Sequence, residues 1–551
     1  MLKQTIAELL TKAIIQAQKA GKIPAVTVPE VVLERPQKPE HGDYASSIPL
    51  KLARAVGMKP MALAQEIINN FEPSAEIASA TAATPGFINF KLNDAWLAQQ
   101  VNDVLKAKQS FGTIELGKGK KVQVEFVSVN PTGPLHVGHG RGAVLGSTLA
   151  SILAAAGFET QKEYYINDAG NQIDTFRRSL YARYIQETGG KAEVPEDGYH
   201  GAYMADAAKE IAAAYGKELI GLKGDELANR LGKIGLEKML AQIKTDLEMV
   251  GVSFDEWFSE STLMPVTYPK VTKMLENKGY LVQREGATWF TSTTLGEDKD
   301  NVVVRSDGSP TYFGTDIAYH YNKFIERGFD TVIDIWGADH AGHVSRMKAV
   351  MGALGVNPEN LTIIISQMVI LRRGNEIVKI SKRSGDIIIL RELVEEVGAD
   401  ACRFFFLSRT ANSQMDFDLE LAKKQSTDNP VYYVQYAHAR IASILKLAEE
   451  KGATDEGGNV ALLTTEPELT LIRKMLKLPE MVETIALTLE PHHLTYYAQE
   501  LATDFHAFYK NCRVVTDDPK MTSARLKLVK AAKIVLGRTL NLMGMNAPDK
   551  M

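Results

Sequence analysis

Cysteine is nearly missing from this chain. Cys402 and Cys512 are the only two among 551 residues, and no C-x-x-C occurs. A cysteine-built metal site is therefore excluded, and two thiols so far apart fit a reducing, cytoplasmic setting. Long apolar runs are missing too. None reaches the length that spans a bilayer, and the N-terminal MLKQTIAELLTKA mixes charge into a helical pattern, unlike a signal peptide. A large charge of either sign is the third absence. The net charge of −4 leaves RNA binding open, because basic residues gathered locally are enough for it. What remains is an ordinary globular composition, 45% hydrophobic and 24% charged, over a length that holds roughly three to four domains.

The most informative stretch is KVQVEFVSVNPTGPLHVGHGRGA at 121–143. Residues 122–129 are largely apolar on both alternating faces, which predicts a strand covered on both sides, as in a parallel sheet. Asn130-Pro131-Thr132-Gly133-Pro134 is a turn, and a helix is predicted from near His136 to a stop at Gly157. A strand, a tight loop and a glycine-rich helix start form a nucleotide site in α/β sheets, where free backbone N–H groups and the helix dipole face an anion. Gly138, Gly140 and Gly142 remove side chains, so a flat ring or a phosphate can approach the backbone. His136 and His139 are three apart and share a face of the first turn. Each can donate a hydrogen bond to a phosphate oxygen as charge develops. These residues alone leave two other readings open. Glycines also allow close helix packing, and H-x-x-H also suits a metal pair, although such a site needs more ligands.

The stretch resembles the HIGH signature of class I aminoacyl-tRNA synthetases, written here HVGH. Within that class, VSVNPTGPLHVGHGRGA is similar to the arginyl-tRNA synthetases of bacteria. Residues 1–115 read as a small α+β domain, with Ile6, Leu9, Leu10, Ala13 and Ile14 at helical spacing and a strand over 26–33. Nothing there has catalytic spacing, so a structural accessory domain is one reading. HGDYASSIPLKLARAVG (41–57) and PGFINFKL (85–92) resemble the N-terminal domain of the arginyl enzymes. That resemblance implies contact with the outer corner of tRNA through Asp43, Tyr44 and Asn89.

Further along, FETQKEYYI leads into the polar loop Asn167-Asp168-Ala169-Gly170-Asn171. A plain turn explains it about as well as a site. The family's equivalent loop implies a role for Asn167, Asp168 and Gln172. Residues 176–275 read as a helical insertion, with Phe254, Trp257 and Phe258 as core, and sheet residues resume over 300–390. Tyr312 and Asp316, four apart, share a face if their segment is helical. The apolar strand TVIDIW (331–336) runs into Gly337-Ala338-Asp339-His340-Ala341-Gly342-His343, the glycine-led loop that a second half-sheet supplies. An acidic residue there can hold ribose hydroxyls. A third run, LTIIISQMVIL (361–371), ends in a polar loop carrying Lys379, Lys382 and Arg383. That loop is either a solvated basic loop or, by resemblance, the class I KMSKS loop in the form KISKR, with Ile380 and Arg383 as departures. Beyond Arg391 an all-helical tail is expected, with Leu494, Tyr497, Leu501, Phe505 and Phe508 as an apolar stripe. Residues 521–540 hold Arg525, Lys527, Lys530, Lys533 and Arg538 and no acid. This is a solvated face or a phosphate-contacting one. NPVYYVQYAHARI resembles the family's anticodon-binding helical domain.

The resemblance implies a multidomain protein. An N-terminal α+β domain covers 1–115, and an α/β Rossmann-type nucleotide-binding catalytic domain covers 116–390 with a helical insertion near 176–275. A stem-contacting connection covers 391–430, and a C-terminal all-α anticodon-binding domain covers 431–551. The implied activity is ATP-dependent ligation of L-arginine to tRNA(Arg) through an arginyl-adenylate. His136, His139, Lys379 and Lys382 would be catalytic, serving the phosphates. Pro134, Gly138, Gly140, Gly337, Asp339, His340 and His343 would bind ATP. A guanidinium pocket needs planar oxygen acceptors from different directions, and Glu125, Asn130, Tyr312 and Asp316 match the family's E-x4-N and Y-x3-D spacings. Tyr433, Arg440, Lys530 and Lys533 would add tRNA contacts. Mg²⁺ would travel with ATP as a substrate complex, without a tightly bound metal or organic cofactor. No membrane partner is expected, and the expected state is a monomer. Two rivals stand beside this reading: another ATP-dependent adenylyltransferase on the same sheet, and a non-catalytic tRNA-binding relative.

Overall fold

In chain order the strands are β1 (Tyr44–Ser46), β2 (Ile77–Ala83), β3 (Phe87–Leu92), β4 (Lys121–Phe126), β5 (Glu159–Ile166), β6 (Glu256–Ser259) and β7 (Leu281–Arg284). They continue with β8 (Ala287–Phe290), β9 (Asn301–Val304), β10 (Thr331–Gly337), β11 (Leu361–Ser366), β12 (Val369–Arg373), β13 (Glu376–Val378) and β14 (Met415–Asp418). This computed structural model describes residues 2–168, 170–378 and 388–551.

The central sheet is parallel throughout, in the order β11-β10-β4-β5-β6. The chain starts it at β4, builds outward through β5 to β6, and then crosses back to lay β10 on the other side of β4. The order therefore reverses between β4 and β10. In an open α/β sheet the crevice at the carboxyl ends of such a pair is where ligands bind. β4 is the middle strand, and Val122, Val124 and Phe126 are at most 1% exposed, as its two-sided apolar pattern requires.

Two readings of the strands need correction. Residues 26–33 form no strand; this stretch runs as irregular chain until Glu34 bridges Ala45. Sheet structure resumes well before 300, because β6 falls at the end of the expected insertion and pairs with β5. Trp257 stacks on Tyr164 with ring centroids 4.5 Å apart, so its expected core role holds. β9, by contrast, belongs to a separate antiparallel sheet, β7-β8-β9.

The helix after β4, Val137–Ala155, is buried on nearly all sides. Its glycines explain how. A Cβ on Gly146 would lie 2.2 Å from Cγ of Phe126, and one on Gly140 would lie 2.5 Å from Leu390 Cδ1. Strand and helix backbones therefore approach more closely than any side chain permits.

Three further units accompany the sheet. The N-terminal unit packs helices Leu2–Lys19, Ile48–Val56 and Pro60–Asn69 with an antiparallel sheet β1-β3-β2. Helices Asn171–Glu187, Ala202–Leu219 and Gly224–Met249 form an insertion with its own core of Phe176, Leu180, Met204, Ala208 and Leu231. The tail is all helical from Pro430–Glu450 to Pro519–Leu542. Leu494, Tyr497, Leu501, Phe505 and Phe508 lie inside it at 2% exposure or less, so truncating any one should cost about 2–5 kcal/mol. Among the described residues, no helix is long and apolar enough to cross a membrane.

Candidate active site

The carboxyl end of β4 is built to turn sharply. Val127 and Ser128 adopt left-handed backbone angles, φ +70° and +43°, which for non-glycine residues stores on the order of 1–3 kcal/mol each. Neighbours hold the turn in place. Tyr165 N donates to Ser128 Oγ at 3.1 Å, and the Tyr164 hydroxyl donates to Val129 O at 2.8 Å. The turn delivers Asn130 to the wall of a cleft of about 1460 Å³ at the switch point. Its side-chain amide hydrogen-bonds Gln172. The cleft gathers Glu125, Asn130, Pro134, His136 and His139 from one half-sheet. From the other it gathers Tyr312, Asp316, Gly337, Asp339, His340 and His343.

His136 and His139 form one unit. His136 caps the helix Val137–Ala155, and the two rings stack with centroids 3.3 Å apart. His139 N donates to His136 Nδ1 at 3.4 Å, and His136 N donates to His139 Nδ1 at 3.2 Å. Both Nδ1 atoms are thus acceptors, which assigns the proton of each neutral ring to Nε2. Burial lowers both pKa values. In His139, where the neighbouring His136 adds to the effect, the value falls to about 3. The pair offers neutral N–H donors beside a helix N-terminus, a combination suited to phosphate oxygens.

The glycines divide between two tasks. A Cβ on Gly138 would lie 3.0 Å from the His136 ring, so glycine there gives the imidazole its place. Gly140 needs correction: it faces Leu390 and Phe406 inside the protein, so it serves helix packing and not the approach of adenine. Opposite, Gly337 lets the carboxylate of Asp339 fold back over the strand end, where a Cβ would meet Asp339 Oδ1 at 2.6 Å. The Asp339 side chain is 79% exposed and pairs with His340 Nε2 at 3.3 Å. Burial and then Arg346 lower the pKa of His343. Lys379 and Lys382 lie outside the described residues.

At the other end of the cleft, Tyr312 and Asp316 stand one turn apart on the helix Tyr312–Tyr321, as their spacing anticipates. Thr311 caps it, accepting from Gly314 N at 3.1 Å. The Asp316 carboxyl is pushed well above the usual range by burial and then by Glu125 and Glu260. Asp316, followed by burial, in turn raises the Tyr312 phenol. This end of the cleft is short of positive charge. Glu125 corrects the sequence reading in one respect. It lines the cleft, but its Oε2 already meets the ammonium of Lys323, a wholly buried residue that the sequence did not single out.

Other residues at the cleft also escaped the sequence reading, because the insertion folds over it. The Tyr203 hydroxyl donates to Thr132 O at 2.9 Å. Arg391, shortly after the basic segment of Lys379, Lys382 and Arg383 in the sequence, lines the cleft and donates through Nε to Asp246 at 2.8 Å. No local motif marks either residue. Asp168 is a correction in the other direction. It accepts from Ser259 Oγ at 2.5 Å and Ser261 N at 3.0 Å, tying down β6. Gln172 does reach the cleft.

The expected tRNA contacts fare unevenly. Asp43 and Tyr44 are 9% and 1% exposed and face the helical tail, not solvent. Asp43 pairs with Arg473 Nε at 3.0 Å, and Tyr44 donates to Glu480 at 2.6 Å. Their role is to join two units, because buried polar groups need internal partners. Asn89, on β3 and 9% exposed, has little surface to offer. Lys530 and Lys533 are not free either, pairing with Asp455 at 2.6 Å and Asp549 at 2.7 Å, while Arg525 pairs with Glu468 at 2.8 Å. Three of the five basic residues on the helix Pro519–Leu542 are therefore already paired. Tyr433 donates to Thr503 at 3.2 Å, and Arg440 lies over the Tyr436 and Tyr509 rings at 4.7 and 5.4 Å.

Comparison with known proteins identifies the family and the fold. Residues 100–428 match the family model described as tRNA synthetases class I (R), catalytic domain. Residues 2–92 match the arginyl tRNA synthetase N terminal domain, and 434–551 match the DALR anticodon binding domain. An arginine–tRNA ligase of Dehalococcoides mccartyi is 58% identical over 551 residues, covering all of this chain and 99% of that protein. One from Carboxydothermus hydrogenoformans is 46% identical with both chains fully covered. The solved arginyl-tRNA synthetase of Thermus thermophilus superposes with a TM-score of 0.77 at 23% identity over the whole of both chains, a likeness of fold.

Proposed function

The chain belongs to the class I arginyl-tRNA synthetase family, and we propose that the cleft between β4 and β10 is where it activates arginine. Its function is the ATP-dependent joining of L-arginine to tRNA. The observation that carries the assignment is that a single cleft holds both a phosphate-receptive helix end at His136 and His139 and a carboxylate, Asp316, lacking a full counter-charge.

In this reading the arginine guanidinium lies against Asp316 and Tyr312, with Glu125 behind and Asn130 at the head group. The arginine carboxylate attacks the ATP α-phosphorus in line, and diphosphate leaves. The arginyl group then passes from the adenylate to the terminal ribose of tRNA(Arg), releasing AMP. His136 and His139 donate through Nε2 as charge grows on the phosphate oxygens, and being neutral they need no proton transfer to do so. Asp339 takes the ribose hydroxyls, with His340 and His343 beside it. Lys379 and Lys382 clamp the departing diphosphate. Positioning carries most of the work. Mg²⁺ arrives with ATP, held chiefly by the phosphates.

A site built for guanidinium leaves its acceptors unpaired by lysine and so rejects it. We read the chain as a cytoplasmic monomer divided at 115, 390 and 430, with the Arg440, Tyr436 and Tyr509 cluster as a platform on which tRNA bases stack. Arginine-dependent ATP–diphosphate exchange, run with and without tRNA and with lysine as control, tests the assignment. Exchange with arginine and not with lysine is expected. Equal exchange with lysine would refute the guanidinium pocket.

A further inference from the structure

Four carboxylates stand in one register line across the central sheet. Asp334 of β10 pairs with Glu125 of β4, Glu125 with Glu163 of β5, and Glu163 with Glu256 of β6. Register partners in a parallel sheet project from the same face, about 4.8 Å apart. The inner three are buried, at 0%, 7% and 0% exposure for Asp334, Glu125 and Glu163. Like charges stacked this way in the interior require cations of matching geometry.

One helix and the π-turn that follows it supply them. His320 Nε2 lies 2.9 Å from Asp334 Oδ2. Lys323 Nζ lies 2.9 Å from Asp334 Oδ1 and also contacts Glu125 Oε2. Arg327 Nη1 donates to Glu163 at 2.9 Å, and the Tyr319 hydroxyl donates to the same carboxylate at 2.5 Å. Lys323 is the only one of these groups to bridge two strands of the row. Its ammonium, 4.2 Å from the centre of the Tyr319 ring, is completely buried and stays protonated. Burial alone would lower its pKa, but Asp334 and Glu125 outweigh that and raise it. One charge cannot satisfy two carboxylates equally. Lys323 and His320 overcome burial to hold Asp334 down at about 2, while burial leaves Glu125 raised. Glu125 is also the member of the row that lines the cleft, alongside Asp316.

We propose that Lys323 is a specificity-determining positioning residue. It does not line the cleft, but it holds Glu125 oriented at the cleft wall and offsets part of its charge, leaving Glu125 and Asp316 together to receive a guanidinium. The proposal rests on the reading that arginine occupies the Glu125–Asp316 end of the cleft.

Replacing Lys323 with methionine keeps its length and removes its charge. Glu125 and Asp334 then face each other across neighbouring strands, with Glu163 on one side, His320 on the other and Asp316 and Glu260 above. Such a pair shares a proton and titrates late. The test measures KM for arginine and kcat in ATP–diphosphate exchange at saturating tRNA, from pH 6.5 to 9, with melting temperatures alongside. The variants are Lys323→Met, the charge-balanced Lys323→Met/Asp334→Asn, and Asp316→Asn. For Lys323→Met, KM should rise about 30-fold at pH 7 with kcat within about threefold, and recover toward pH 9. The double variant, which removes an acid together with the lysine, should bring KM to within about threefold of the parent at pH 7. An unchanged KM in Lys323→Met, or a raised one that ignores both pH and the second substitution, overturns the proposal. An unchanged KM in Asp316→Asn overturns the underlying placement of arginine, and the proposal with it.

Discussion

The Tyr44 hydroxyl donates a 2.6 Å hydrogen bond to Glu480 Oε1, joining residues 436 positions apart in the chain. Arg35 adds its guanidinium to the same carboxylate, at 2.9 Å from Nε and 2.7 Å from Nη2. This buried triad fastens the N-terminal unit to the helical tail, beside the Asp43–Arg473 pair.

Glu480→Ala should therefore destabilise the protein by about 3 kcal/mol, because it strands a buried guanidinium. Thermal unfolding checks this. Burial alone would raise the Glu480 pKa, but Arg35 and Tyr44 bring it below its ordinary value. The folded-state pKa is thus depressed, so the stabilisation is present above the ordinary carboxylate pKa and is lost as pH falls through the lower folded value. The melting temperature of the parent should drop in that acid window, and that of Glu480→Ala should drop less.

His139→Ala should lower turnover at least about 100-fold while changing KM for arginine little, because the residue faces the phosphate end of the cleft. With its pKa at about 3, His139 stays neutral across the working range. The pH profile of kcat should accordingly show no limb from this residue between pH 5 and 9. A loss of turnover accompanied by an equal rise in arginine KM would place His139 elsewhere.

Arginine should bind more tightly as pH rises. Asp316 is held well above the usual carboxylate range, first by burial and then by Glu125 and Glu260. A guanidinium pairs with the ionised form, so binding at a pH below the raised folded-state value releases a proton. Calorimetry in phosphate and in Tris at one pH should give binding heats that differ by the buffers' ionisation enthalpies. Equal heats would mean that Asp316 is already ionised.

Gly146→Ala should cost about 2 kcal/mol by forcing the helix Val137–Ala155 off Phe126, where the new Cβ would sit 2.2 Å from the ring. Gly138→Ala meets only the edge of the His136 ring at 3.0 Å. Its effect should appear in turnover more than in melting temperature.

Lys530→Ala and Lys533→Ala should each change the salt dependence of tRNA binding by much less than one counterion. Both ammonium groups are already paired, with Asp455 and Asp549, and a lysine that is neutralised internally releases few ions on binding. Filter binding across a salt series checks this. A slope reduced by a full unit per substitution would restore the basic stripe as an RNA contact.

The sequence by itself determined the features written within a few residues of one another. The two-sided strand, the proline-glycine turn, the helix start near His136 and the Tyr312–Asp316 pair on one helical turn are all local. Periodicity acts over a turn or less, and the structure reproduces these features, except that the strand stops at Phe126 and not at Val129, because Val127 and Ser128 take the left-handed turn. The ordered coincidence of short motifs carried the family in the same way. The tertiary structure alone decided what those residues face. Lys323 reaches Glu125 across 198 positions and Arg35 reaches Glu480 across 445, turning apparent free charges into buried pairs. Gly140, which reads as a ligand approach, became a packing contact because Leu390 arrives from a distant part of the chain. Burial and charge partnership are properties of chain crossings, and no spacing within a single segment records which crossing will occur.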